Sequence, residues 1–318
     1  MYRYTAFGLN ILANQPIPEL IAVAGAADPD ITISIGVRPD VRDESRSVIG
    51  AEPPAEGSEE RRVYRLSPSG MVAFCFSDGT EFFVTPGADH IWTTWRAPYT
   101  VEDMATYLLG PILGYVLRMR HTVALHASAI AVGDRAIAFV GGAGAGKSTT
   151  AASFALKGFS ILADDVSAID HNGDGFSVRP AYPHLRLWPA SVTSLLGGVD
   201  ALRPITPNWD KRDFPLLEYQ AFNTSPLPLA AVYLLGARDN DDRAPYVEPL
   251  SPREGFIHLV GNTYGNTLLD PPMRAHEFDV LTQMSNQVPM RRIIPHESPQ
   301  RVGQLCDTIL GDLQRHAR

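Results

Sequence analysis

The chain has 318 residues, of which 45% are hydrophobic and 19% charged, and its formal net charge is -8. This length suffices for two domains that each bury a core, and the scattered arginines argue against a protein that grips nucleic-acid phosphates along one face. The two cysteines lack CxxC spacing, and MYRYTAFGLN has no signal-peptide pattern. No apolar run approaches the ~20 residues that a membrane span needs. These features predict a cytoplasmic protein that does not bind membranes.

The first 97 residues predict a mostly β N-terminal module. RVYRLSPSGMVAFCFSDGTEFFVTP alternates short β-rich runs with Ser-Pro-Ser-Gly and Ser-Asp-Gly-Thr turn signals, which is typical of a small antiparallel sheet. The charged, proline-bearing segment 38–62 has almost no large apolar residues to bury. We therefore predict a mobile loop over 38–62.

Residues 98–120 predict a connecting helix. Thr100 suits an N-cap, and Glu102 and Asp103 in the first turn complement the helix dipole. The Gly110-Pro111 pair predicts a bend inside this helix.

From residue 121 to the end the pattern changes to that of a catalytic domain. LHASAIAV and RAIAFVGG, separated by Gly133-Asp134, predict a tight hairpin. KSTTAASFALKG then predicts a helix with Gly158 as its C-terminal cap, FSILADD a short buried strand that ends in two acids, and the chain closes with a helix near 301–315.

The stretch GGAGAGKS matches G-x-x-x-x-G-K-[ST] between a predicted strand and a predicted helix. Glycines let successive N–H groups turn toward one anion, the lysine reaches the terminal phosphates and the serine hydroxyl can ligate Mg²⁺. The alternative is a flexible alanine-glycine turn. The motif predicts ATP and Mg²⁺ as cofactors and a nucleotide site formed by Gly141, Gly142, Ala143, Gly144, Ala145, Gly146, Lys147, Ser148 and Thr149.

Asp164 and Asp165 end the strand that follows the predicted helix, where one carboxylate could hold nucleotide-bound Mg²⁺ and the other accept a proton from a hydroxyl. A solvated loop entry is the alternative. His126 is a third candidate, because the hairpin places it beside the phosphate-loop strand, although a lone histidine on a strand is more often a core residue. Further side chains that could clamp phosphate from the C-terminal region are His184, Arg186, Lys211 and Arg212.

In this order, LHASAIAV, GGAGAGKST and LADD resemble the catalytic domain of HPr serine kinase/phosphorylase and its shorter relatives. That family has a histidine-bearing strand, a phosphate loop and a strand ending in Asp-Asp, and the resemblance is specific over 125–170. Weaker likeness in YLLGPILGYVLRMRHTVALHAS and YPHLRLWPAS extends it to a bacterial subgroup, some of whose members are similar to kinases of ribosomally made precursor peptides such as lasso peptides. The implied fold class is α/β, α+β overall, with the small β module preceding a P-loop catalytic domain.

The resemblance implies that Asp164 takes the proton of a serine hydroxyl, that Asp165 and Ser148 serve the metal, and that His126 tunes Asp164. It also implies a catalytic part for Lys147, and raises the option of a homo-oligomer. Two departures stand out: Thr149 occupies a position where the family usually carries glutamate, and the later Leu-Glu-x-Arg-Gly segment is replaced by PHLRLWP. The resemblance therefore does not extend to HPr as substrate or to the reverse phosphorolysis.

Three hypotheses remain open at this point. The favoured one is a kinase that phosphorylates a serine-type hydroxyl on a protein or peptide. The others are a nucleotide-binding switch or slow ATPase that acts through conformational change, and a kinase of a small metabolite that uses the same core.

Overall fold

The computed structural model of the protein describes residues 1–25, 27–52, 60–173, 175–265 and 268–316. The chain is a mixed α/β protein, α+β overall, which confirms the predicted fold class. The N-terminal strands are Tyr2–Ala6 (β1), Leu9–Ala13 (β2), Ile31–Ile35 (β3), Ser45–Glu52 (β4), Arg61–Ser67 (β5), Val72–Phe76 (β6), Glu81–Val84 (β7) and His90–Thr94 (β8).

These strands form one sheet in the order β1-β2-β3-β8-β7-β6-β5-β4. Strands β5, β6 and β7 pair antiparallel, as the turn signals predict, whereas β3 lies parallel to both β2 and β8. In β2 and β3 the side chains alternate between buried and half-buried, so one face of the sheet packs on the core.

The mobile loop predicted for 38–62 is wrong over Ser45–Glu52 and at Arg61 and Arg62, which begin β5. The segment Ser45–Glu52 forms edge strand β4, which pairs antiparallel with β5 from Ser45 opposite Ser67 to Glu52 opposite Arg61. Backbone pairing needs no apolar side chains, and charges are well suited to an edge strand because they discourage pairing with other chains. Residues 53–59 lie outside the described residues, and mobility there stays a prediction.

The connecting segment consists of helix Val101–Tyr107 (α1), a π-helical turn Leu108–Ile112 and helix Leu113–Met119 (α2). Thr100 caps α1 in a capping box with Asp103, which confirms the predicted N-cap. Pro111 lies inside the π turn, where its missing N–H interrupts the regular hydrogen-bond ladder. The predicted bend at Gly110-Pro111 stays a prediction.

A second sheet, which we call the C-terminal sheet, has the strands Val123–Leu125 (β9), Ala127–Val132 (β10), Arg135–Val140 (β11), Ile161–Ala163 (β12), Ser167–His171 (β13), Phe176–Val178 (β14), Leu227–Leu235 (β18), Tyr246–Pro249 (β19) and Met290–Ile294 (β20). They follow the order β12-β10-β11-β18-β14-β13-β9, and β20 pairs with β18 and β19. The β10–β11 hairpin has Val132 opposite Arg135, so Gly133-Asp134 is its two-residue turn, as predicted.

A smaller sheet consists of His184–Leu187 (β15), Pro204–Thr206 (β16) and Trp209–Pro215 (β17), in the order β15-β17-β16. Its Leu185 and Phe214 share a hydrophobic cluster with Phe139 of the C-terminal sheet. The remaining helices are Lys147–Leu156 (α3), Pro189–Leu196 (α4), Pro252–Gly261 (α5), Pro271–Gln287 (α6) and Val302–His316 (α7). Among the described residues, no helix combines the length and the apolar character that crossing a membrane requires.

Helix α3 ends as predicted. Gly158 has a left-handed φ of 88°, its N–H donates to Ala155 and that of Phe159 donates to Phe154, which together form a Schellman cap.

The N-terminal module and the C-terminal sheet share one hydrophobic core. A continuous apolar cluster includes Ile33 and Phe74 of the N-terminal sheet, Val116 of α2, and Leu125 and Val140 of the C-terminal sheet. The module is therefore packed onto the C-terminal part through α1 and α2, which brings residues of both to one cavity.

Candidate active site

The phosphate loop joins the carboxyl end of β11 to α3. Gly141, Gly144 and Gly146 have φ angles of 154°, 75° and 102°, which side chains rarely adopt. A Cβ at Gly141 would lie 3.2 Å from the carbonyl oxygen of Leu235. The glycines therefore permit both the turn and its close approach to β18, and they leave the N-terminus of α3 facing the cavity.

Lys147 is buried against this loop, with 8% of its surface exposed. Its Nζ donates hydrogen bonds to the carbonyl oxygens of Gly141 at 2.7 Å and Gly142 at 3.3 Å. Burial lowers the pKa of Lys147, and the charges of Asp165 and Asp164 oppose that shift. The ammonium is thus held beside the loop, where a phosphate bound by the loop would meet it.

Asp164 follows β12 and is 4% exposed. Its Oδ1 accepts a hydrogen bond from Ser128 Oγ at 2.5 Å, and its Oδ2 a long one of 3.5 Å from the backbone N–H of Arg186. Burial raises the pKa of Asp164, and hydrogen bonds from Ser128 and Ser148 only partly offset this. A carboxylate with a raised pKa is a better proton acceptor than a solvated one.

Asp165 occupies a different environment although it is the next residue. Its φ is 65°, and its Oδ1 lies 3.3 Å from His126 Nε2. Burial alone would raise the pKa of Asp165, but the neighbouring charges of His126, Lys211 and Arg186 and a hydrogen bond from Tyr264 lower it. Asp165 is therefore the carboxylate that stays ionised.

His126 lies at a bend between β9 and β10. The resemblance implies that it tunes Asp164, but its ion-pair contact is with Asp165, while Ser128, two residues further along the chain, takes the direct hydrogen bond to Asp164. Burial lowers the pKa of His126, and the charge of Asp165 opposes that shift.

The π turn contributes Gly110, which the sequence singles out only for the predicted bend. A Cβ at Gly110 would lie 3.1 Å from Asp165 Oδ2, so a side chain there would require the carboxylate to shift. The glycine therefore lets this turn of backbone lie close to Asp165, and π turns are frequent at functional sites.

The phosphate loop and both aspartates line one cavity of about 460 Å³. We call the side formed by the phosphate loop the nucleotide wall. The facing side, which we call the module wall, carries Phe76, Tyr107 and Trp209, contributed by the N-terminal sheet, α1 and β17. The rings of Phe76 and Tyr107 stack at 4.0 Å, and Trp209 meets Tyr107 edge-on at 5.8 Å.

A buried ion pair fixes the module beside the site. Arg186 on β15 donates through Nε and Nη2 to both carboxylate oxygens of Glu19, at 3.0 and 2.9 Å, and through Nη1 to the carbonyl oxygen of Thr106 at 3.1 Å. Its side chain is 5% exposed and that of Glu19 is 8% exposed. Arg186 thus links the N-terminal module, α1 and the strand whose backbone contacts Asp164.

The predicted phosphate clamps divide into two groups. Lys211 lines the cavity, with Nζ 5.1 Å from the ring centre of Trp188, and Arg186 lines it while bound to Glu19. His184 instead pairs with Asp213 at 2.6 Å. Neither His184 nor Arg212 is among the described residues that line the cavity. Neighbouring residues of a strand point to opposite faces, which separates Arg212 from Lys211.

Sequence reasoning missed Arg238. This residue follows β18, lines the cavity, and its Nη2 lies 3.6 Å from the position of a Cβ at Gly146. Within the described part of the chain, no hydrogen bond or ion pair engages its guanidinium. The missed signal is that β18 lies parallel to β11, so the residues after both strands meet at one edge of the sheet.

The residues present fit a nucleotide-bound Mg²⁺. The Ser148 hydroxyl lies within hydrogen-bonding reach of Asp164, and Asp165 stays ionised in the same cavity. Among the described residues no cluster of three or more His, Cys, Asp or Glu side chains could hold a metal by itself. Such a cluster is not needed, because Mg²⁺ on a nucleotide is usually held by one or two protein oxygens together with phosphates and waters.

No protein-family model matches the chain, and no curated protein matches it. Among solved structures the chain is similar to the Hpr(Ser) kinase/phosphatase from Coxiella burnetii. The sequence identity is 10% and the TM-score 0.35, over 61% of this chain and 94% of that one.

Proposed function

We propose that the protein is an ATP- and Mg²⁺-dependent kinase that transfers the γ-phosphoryl group to a serine-type hydroxyl on a protein or peptide. The observation that carries this proposal is the placement of Asp164. Its buried carboxylate, with a raised pKa, shares one cavity with Lys147 and the N-terminus of α3. A phosphate loop alone would serve any nucleotide-binding protein, whereas a poised base beside it serves transfer to a hydroxyl.

In this reaction the acceptor oxygen forms a bond to the γ-phosphorus while the bond from that phosphorus to the β–γ bridging oxygen breaks. The hydroxyl proton passes to Asp164, which Ser128 holds in place through Oδ1. Lys147 and the N–H groups of the loop offset charge on the transferred group and on the departing diphosphate. Asp164 must be ionised to accept the proton.

Ser148 and Asp165 are the residues that would hold Mg²⁺. When bound, the ion supplies further neutralisation of phosphate charge. His126, whose Nε2 lies 3.3 Å from Asp165 Oδ1, would orient this carboxylate.

The module wall favours an acceptor that enters as a flexible segment or a small molecule. The cavity is partly enclosed, because Phe76 and Tyr107 form the side away from the phosphate loop. This enclosure supports the small-metabolite kinase as a second candidate, which shares every catalytic step described above.

The test is phosphoryl transfer from ATP with Mg²⁺ into serine-containing peptides and a heat-inactivated lysate of the source cell, read by mass spectrometry. Wild type should label an acceptor, and Asp164→Asn should reduce transfer by about 10³-fold or more while ATP binding survives. Lys147→Ala should abolish both. Asp134→Asn, in the exposed β10–β11 turn, is the matched control and should behave as wild type.

Transfer that is unchanged in Asp164→Asn would refute the assignment of the base. ATP binding without transfer to any acceptor would instead favour the nucleotide switch. Labelling confined to small molecules of the lysate would favour the metabolite kinase.

A further inference from the structure

A second cavity of about 130 Å³ opens beside the phosphate loop. We call it the side cavity; it lies between the first turn of α3, helix α4 and the segment that follows β20. Gly146, Thr149, Ser191 and Arg238 line both cavities. The two spaces therefore meet at the phosphate loop.

The sheet places these features in a fixed order along one edge. Strand β10 is antiparallel to both β11 and β12, and β18 is parallel to both β11 and β20, so β12, β11, β18 and β20 all end at the same edge. The residues that follow these strands are Asp164, the phosphate loop, Arg238 and His296, respectively. With neighbouring strands about 4.8 Å apart, Asp164 and His296 lie on opposite sides of the loop, each two strands away from β11.

A nucleoside triphosphate bound by the loop must lie along this edge of the sheet, with one end toward Asp164 and the other toward His296. Its γ-phosphate has to face Asp164, because the acceptor hydroxyl is deprotonated there. The nucleoside end then leaves the loop toward Arg238 and β20. Ser148 lines only the main cavity and Thr150 only the side cavity, as expected for residues about 200° apart around a helix.

The chemistry of the side cavity differs from that of the main cavity. Its described lining contains no carboxylate, so it offers no base for an acceptor hydroxyl. Pro295, Pro299, Val302 and Leu305 supply apolar surface. The polar lining consists of serine and threonine hydroxyls, His296, Arg301 and the shared Arg238. Apolar walls with a few polar groups suit a planar base and a ribose.

His296 provides one of those polar groups. Its Nδ1 accepts a hydrogen bond from the backbone N–H of Ser298 at 2.8 Å, so in the neutral ring Nε2 carries the proton. The ring is thereby fixed as a donor for an acceptor atom of a base or ribose.

We propose that the side cavity binds the nucleoside of the phosphate donor, with Arg238 between the two cavities on the phosphate chain. This inference rests on the proposed function. It adds a site for the base and ribose formed by α4 and by the segment after β20, outside the motif that binds the phosphates.

The experiment compares the affinities of ATP and inorganic tripolyphosphate for the full chain, each with Mg²⁺, by titration calorimetry. If the side cavity holds the nucleoside, wild type binds ATP at least about tenfold more tightly than tripolyphosphate, a difference of about 1.4 kcal/mol. Ser194→Trp, which fills the cavity from the exposed side of α4, should remove this advantage and leave tripolyphosphate binding within about twofold.

Thr193→Trp is the matched control, since Thr193 is the exposed neighbour on α4 and is not among the described lining residues. It should leave both affinities unchanged. Equal wild-type affinities for the two ligands, or full ATP affinity in Ser194→Trp, would overturn the assignment of the side cavity alone. Absence of binding for both ligands would overturn the proposed function and this inference with it.

Discussion

The nucleotide wall and the module wall of the main cavity are built in opposite ways. The nucleotide wall comes from one unbroken stretch, 141–149, and acts through backbone N–H groups whose geometry its own glycines set. The module wall gathers Phe76, Tyr107 and Trp209 from three distant segments. The first wall is therefore a local property of the chain, and the second exists only because the N-terminal module is docked.

The Arg186–Glu19 pair is the contact on which this docking can be tested. The buried charges of Arg186 and Glu19 are tolerated because they neutralise each other. Removal of one leaves the other buried and uncompensated. Variants that loosen the docking should therefore weaken binding at the module wall more than binding at the nucleotide wall.

Glu19→Gln should have the largest effect. Loss of the carboxylate beside Arg186 should lower the free energy of unfolding by about 3–5 kcal/mol, measured in urea. The acceptor KM should rise more than the Kd for ATP, because the module wall loses its anchor. Glu60→Gln, which breaks an exposed pair with Arg62, is the control and should change little. Equal changes in the acceptor KM and in the Kd for ATP would contradict the independence of the two walls.

Arg238→Ala should act on the nucleotide side. Hydrogen bonds to a charged group contribute about 1.5–3 kcal/mol, so the affinities for ATP and tripolyphosphate should both fall at least about tenfold. Arg243→Ala, which removes an arginine paired with Asp241 in the same segment, should leave both affinities intact. A loss restricted to ATP would place Arg238 on the nucleoside rather than on the phosphates.

Trp209→Leu should affect only the module wall. Trp209 lines the cavity, and an aromatic contact is worth about 0.5–1.5 kcal/mol. If the acceptor packs on this ring, its KM should rise about two- to tenfold, with the ATP affinity unchanged. Trp92→Leu, at another half-buried tryptophan in the N-terminal sheet, controls for a general loss of stability. An unchanged acceptor KM would remove Trp209 from the acceptor site.

Ser128→Ala should give the smallest change, a shift in pH dependence. Its hydroxyl donates to Asp164 and favours the ionised form, so its removal should raise the pKa of Asp164 further. Since transfer needs ionised Asp164, the acid limb of the kcat profile should move to higher pH. Ser167→Ala removes an equally buried hydroxyl that donates to the carbonyl oxygen of Ala127, and it should leave the limb in place.

Features that follow from near neighbours in sequence could be predicted. The capping box at Thr100, the Gly133-Asp134 turn and the end of α3 at Gly158 depend on contacts within a few residues, and the structure confirms each of them. The strand at Ser45–Glu52 could not be predicted, because its stability comes from pairing with β5 rather than from its own composition. The same holds for Arg238, whose position depends on the parallel pairing of β18 with β11.

The sequence by itself determined the phosphate loop and the candidate aspartates, because a cradle of backbone amides needs only glycines, a lysine and a helix at fixed spacing. The tertiary structure decided what each aspartate can do. Burial raises the pKa of Asp164, whereas the charges of His126, Lys211 and Arg186 lower the pKa of Asp165. The pKa of a carboxyl depends on the solvent it loses and the charges it meets, and both are fixed only when distant segments pack together.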